Sequence, residues 1–140
     1  MRSIPAFLLA ILMLGACGSD PADNQPAIGP DDRRLGAQQH ALLLEEFGGS
    51  YRGPEAAYMA AVGEKVASAA GLDATCTFTL VNSDVVNAFA VPGCYIYVTR
   101  GLVAYVNSEA EMASVLAHEV GHIVGDHAKR QESRSVLRQI

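Results

Sequence analysis

The sequence predicts an α+β domain, helices packed on a small β-sheet, with a long helix towards the carboxyl end that carries the chemistry. Three observations lead there. Apolar residues recur at helical spacing in two segments bounded by proline and glycine, three later segments are short and β-rich, and Ser108 with Glu111 spells the S-x-x-E pattern that opens a helix. The 140 residues are half apolar and 18% charged, which excludes disorder by composition and leaves room for one modest domain. Fifteen acidic residues against ten Lys and Arg give a formal charge of -5, so no basic surface is available for a nucleic-acid backbone.

The amino terminus reads as an address. Arg2 precedes an apolar run from Ile4 to Leu14 that is too short to span a bilayer, so residues 1–16 are expected to be a removable export signal. Leu14, Gly15, Ala16 and Cys17 resemble the bacterial lipobox, which implies cleavage before Cys17 and lipidation of its thiol. Acyl chains contribute about 0.8 kcal/mol per buried methylene and would hold the chain on a membrane surface without a spanning helix. Gly18, not an acid, follows Cys17, and the resemblance to lipoprotein sorting signals then implies the outer membrane, on its periplasmic side. Residues 17–30, rich in Pro, Gly, Asp and Asn, read as a lipidated tether, and 31–140 as the amino-terminal part of the folded domain.

Within the domain, Leu35, Leu42, Leu43 and Phe47 mark a first helix over 31–47, stopped by Gly48 and Gly49. Pro54 suits the first turn of a second helix, on which Tyr58, Ala61, Val62 and Val66 recur until Gly71. In residues 75–82, Cys76, Phe78 and Leu80 alternate with threonines, the period of a half-buried strand. Residues 87–91 and 94–100 read as two short strands, or one bent strand, around Pro92 and Gly93. The capping pattern then starts the long helix.

That helix contains His118-Glu119-Val120-Gly121-His122, an instance of H-E-x-x-H. At 100° and 1.5 Å per residue the two histidines stand about 40° apart around the axis and about 6 Å along it, so both imidazoles can reach one zinc ion. Glu119 belongs beside the metal, where it can take a proton from a water whose pKa zinc lowers to about 7 and return it to the leaving amine. This is the machinery of peptide hydrolysis, in a zincin-like arrangement. A third ligand is harder to place. His127 stands five residues beyond His122, which on a continuous helix turns it about 140° away. Gly125 occupies the glycine slot of the longer metzincin pattern, but the position of that pattern's last histidine holds Ala128.

From Leu35 to Arg130 the chain resembles peptidase family M48, whose bacterial members include HtpX-like and BepA-like proteases. The matching stretches are LGAQQHALLLEEFGG, NAFAVPG, YVTRGL and EAEMASVLAHEVGHIVGDHAKR. The resemblance implies His118 and His122 as zinc ligands, Glu119 as catalytic base, and a third ligand, a glutamate on a later helix, with no counterpart before Ile140. The chain is therefore expected to be a part of such a domain. The stretch containing Asn87, Ala88 and Phe89 lines the family's cleft, and an extended peptide could pair with it through the backbone; the alternative is a plain core strand with Phe89 inward.

Cys76 and Cys94 sit on neighbouring strand segments of a chain expected to be exported, where a disulfide is expected and buried free thiols or metal binding are the alternatives. Cys94 stands where many relatives carry a second glycine after the proline. His40 is expected to be solvated or half-buried. Two functions remain in view: a lipid-anchored zinc endopeptidase acting on misfolded envelope proteins, and a noncatalytic envelope lipoprotein or chaperone-like remnant without a complete zinc site.

Overall fold

A computed structural model describes residues 28–72 and 76–137 of the chain, residues 127–137 as backbone only. The expected export signal, Cys17 and most of the expected tether lie outside the described residues. Helix α1 spans Pro30–Glu46 and α2 Pro54–Ala69; strands β1 Thr77–Val81, β2 Ala88–Val91 and β3 Tyr95–Thr99 follow, then a short α3 at Arg100–Val103 and the long α4 at Glu109–Leu137. The sheet has the order β1-β3-β2, with β1 parallel and β2 antiparallel to the central β3. This is the α+β architecture expected.

Alternation along β3 builds two layers of packing. Ile96 and Val98 enter a core with Met59, Val62, Met112, Leu116 and Val120 from α2 and α4. Tyr95 and Tyr97 face the other way, against His40 of α1. Phe89 of β2 stacks on Tyr97 with ring centroids 4.9 Å apart and touches Phe47 at 5.0 Å, which extends this second layer to the end of α1.

On both leading helices the docked face matches the expected apolar residues only in part, Val62 and Val66 of α2 among those that do pack on the core. Leu35 and Leu42 of α1 are exposed, and the helix instead seats Gly36, its one buried residue, where a Cβ would stand 2.6 Å from the Tyr95 ring. On α2 the buried set is Met59, Val62, Gly63 and Ala67, with Tyr58 exposed. A Cβ on Gly63 would stand 2.5 Å from the Phe78 ring. Close helix–sheet approach at a glycine, not the count of apolar side chains, fixes each rotation. The folded part also begins earlier than expected: Ile28, inside the predicted tether, is buried in the core.

The two strands flanking Pro92 are separate, joined by a tight turn in which Gly93 has φ 84° and Cys94 φ 61°. The left-handed region is unfavourable for a side-chain-bearing residue. Cys94 is held there by a disulfide to Cys76 and by the backbone bond from Thr77 N–H to its carbonyl at 2.8 Å.

At the head of α4, Ser108 Oγ accepts from Glu111 N–H at 3.2 Å, the first half of a capping box. The reciprocal bond shifts by one residue: Glu111 accepts from Asn107 N–H, at 2.7 Å, not from Ser108. Lys65 on α2 lies 3.0 Å from Glu109 and holds that carboxyl below its usual range, with Tyr58 also bonded to it. The α2–α4 pair is thereby tied at its solvent side.

Candidate metal centre

His118, Glu119 and His122 all lie on α4, whose backbone is helical through Leu137. The helix does not break at Gly125, so His127 is carried on around the axis; its side chain lies outside the described ones. His118 and His122 are exposed. Their rings meet edge to face, 4.6 Å between centroids, and the two Nε2 atoms are 3.1 Å apart. Two nitrogens at about 2.05 Å from one tetrahedral zinc would be about 3.3 Å apart. The pair thus converges with the spacing that a shared divalent cation needs, and soft-to-borderline imidazole donors suit zinc. Glu119, one residue and 100° further round, is 8% exposed and makes no ion pair among the described residues. No group of three His, Cys, Asp or Glu able to hold a metal occurs among the described residues.

The hairpin brings a strand edge to this centre. A cavity of about 60 Å³ is lined by Ala90 and Val91 of β2 together with His122, Ile123 and Asp126 of α4, so β2 passes beside the second histidine. The outer edge of β1 is covered, because Ser50 bridges Val81 and Tyr51 N–H donates to Leu80 O at 2.7 Å. The outer edge of β2 carries no strand among the described residues. Thr99 N–H donates to Asn87 O at 3.1 Å, which fixes the phase of the β2–β3 ladder. With Phe89 opposite Tyr97 in a bonded pair, the N–H and C=O of Ala88 and Ala90 point outward. Of the three residues expected at the cleft, Ala88 offers its backbone to the open edge, Asn87 is turned inward onto Thr99, and Phe89 is committed by its ring to the α1 layer.

Thr99 was not singled out by sequence reasoning. It ends β3, caps α3 by accepting from Leu102 N–H at 3.2 Å, and binds the segment before β2 through the same hydroxyl. The available signal was a threonine three residues before an apolar pair at a strand end, the mark of a side-chain cap.

Comparison with known proteins assigns the class. The model of Peptidase family M48 matches residues 54–140, and the chain belongs to that family. The match starts at α2, so α1, included in the resemblance above, stands outside it. Among similar proteins, the putative beta-barrel assembly-enhancing protease of Vibrio cholerae is 37% identical over 73 residues, covering 52% of this chain and 15% of that protein. The beta-barrel assembly-enhancing protease of Yersinia pestis is 45% identical over 53 residues, 38% of this chain and 11% of its own length. The mitochondrial metalloendopeptidase OMA1 of Arabidopsis thaliana is 48% identical over 48 residues, 34% and 10% respectively. The chain thus spans 10 to 15% of the length of these relatives.

Proposed function

We propose that this chain carries the zinc-binding and proton-handling part of a metalloendopeptidase that cleaves extended segments of envelope proteins. The convergence of His118 and His122 Nε2 at 3.1 Å, beside a sheltered Glu119, carries the reading. His118 and His122 would hold the ion, and the family's third ligand, a later glutamate, has no counterpart among the described residues. When bound, zinc supplies Lewis acidity for the attacking water and the scissile carbonyl. Glu119 receives the water's proton and delivers it to the leaving amine. Ala88 and Ala90 align the substrate main chain by β-strand addition, which tolerates many sequences and requires that the substrate be locally unfolded.

Two of the relatives are named for enhancing beta-barrel assembly, which is consistent with substrates among assembling envelope proteins. The Cys76–Cys94 disulfide fits an oxidising compartment, and lipidation of Cys17 would keep the enzyme at the membrane, with the outer membrane preferred. Among the described residues no helix is long and apolar enough to cross a membrane.

The test is casein cleavage by the full-length, zinc-loaded protein and by Glu119→Gln. Loss of roughly 10²- to 10⁴-fold with zinc retained supports the assigned proton carrier; equal cleavage would falsify it. Zinc bound without any cleavage by the unmodified protein would favour the noncatalytic binder.

A further inference from the structure

Peptide addition to β2 requires the approach to that strand to be held still, and one buried side chain does this. Thr99 is 0% exposed. Its Oγ1 accepts from Asn87 N–H at 3.1 Å and from Leu102 N–H at 3.2 Å, and its own hydrogen serves the carbonyl of Val85 at 2.5 Å or of Asn87 at 2.9 Å. A hydroxyl has one donor and two acceptor positions, so its capacity is fully used. Gly101 adds to the mooring: its N–H donates to Ser83 O at 2.9 Å, and a Cβ there would stand 2.6 Å from Val85 O. Residues 83–87 are therefore fastened to the β3–α3 junction. On this fastened segment Val85 and Val86 are 56% and 53% exposed. Two consecutive β-branched side chains are thus left in water on a segment whose backbone is fixed, directly ahead of an open strand edge.

We infer that Thr99 is a positioning residue for substrate: by fixing residues 85–87 at the head of the β2 edge, it makes Val85 and Val86 a rigid contact that prefers an apolar side chain in the extended peptide. In strand addition the main chain supplies affinity and side-chain contacts supply selectivity, and a preordered contact loses less entropy on binding. The inference rests on the reading of β2 as the peptide-binding edge.

The experiment uses the full-length, zinc-loaded protein and short fluorogenic peptides in which one leucine or one serine is walked along an alanine-rich chain. Leucine is expected to raise kcat/KM roughly tenfold over serine at one position, within the range that one apolar contact discriminates. The double variant V85S/V86S, whose changes are on exposed side chains, should erase that preference while zinc affinity holds. Thr99→Val should raise KM about tenfold with kcat within about twofold, and Thr99→Ser should restore KM. A preference absent from the unmodified protein, or surviving V85S/V86S, overturns the inference. So does an unchanged KM in Thr99→Val, or a joint loss of kcat, KM and zinc affinity that serine does not rescue. Ala90→Pro separates the two levels. If it cleaves normally, the edge reading itself has failed; if it blocks cleavage while the other variants behave as the unmodified protein, only this inference has.

Discussion

The Tyr97 hydroxyl and His40 Nδ1 lie 2.8 Å apart, joining the centre of the sheet to α1 across 57 positions of sequence. Tyr97 is fully buried, and its pKa is pushed up to about 12, by burial first and by the neighbouring Tyr95 second. The folded state therefore keeps the phenol neutral where the unfolded chain has begun to ionise. Its contribution is fully present below pH 10 and is lost as pH rises towards about 12. Urea melts should show stability falling by on the order of 2 to 3 kcal/mol across that window. Tyr97→Phe should flatten this fall and cost about 1 kcal/mol at neutral pH through the lost hydrogen bond.

The Cys76–Cys94 bond closes a loop with a sequence separation of 18, for which loop entropy gives about 3 kcal/mol of stabilisation. Replacing both cysteines by alanine should lower stability by about that amount. Because Cys94 sits at φ 61°, Cys76→Ala with Cys94→Gly should recover roughly 1 kcal/mol relative to the double alanine variant. Equal denaturation midpoints for the two double variants would contradict the backbone argument.

Glycines on α2 and α4 should respond in opposite directions. Gly63→Ala places a methyl 2.5 Å from the Phe78 ring and should destabilise by about 1 to 3 kcal/mol. Gly125→Ala on α4 meets nothing within 4 Å and should stabilise by up to about 1 kcal/mol through helix propensity. Thermal melts of the two variants check both signs.

Substrate pairing can be tested at the open edge. Val91 is a poor place for it, because Val91 lies in a bonded pair with Tyr95 and proline there would break the hairpin. Ala90 points its N–H outward, so Ala90→Pro should spare the hairpin and zinc affinity yet reduce cleavage of extended peptides at least about tenfold, the loss of a backbone hydrogen bond to substrate. Steady-state kinetics with zinc titration measure both.

The pattern rules read the elements well because each has a strong local signal: Pro54 and Gly71 bracket α2, alternation marks β1, and Ser108 with Glu111 starts α4. Register and rotation were less legible. Gly36 and Gly63 dock by having no side chain, which an apolar count passes over. The four-residue α3 is too short to show a period, and Thr99 looked like the end of a strand because its bonds run to residues 12 and 14 positions away. The approach of His118 to His122 was legible because its geometry is local, a single helical turn. The open β2 edge was expected only from the family resemblance, since edges depend on strand order, which no local period encodes.

The most direct test is zinc K-edge X-ray absorption on the full-length protein, compared with His118→Ala and His122→Ala. Two imidazole nitrogens at about 2.0 to 2.1 Å from one zinc, with one lost in each variant, is the predicted result. A zinc environment that neither substitution changes would contradict the assignment of this helix as the metal centre.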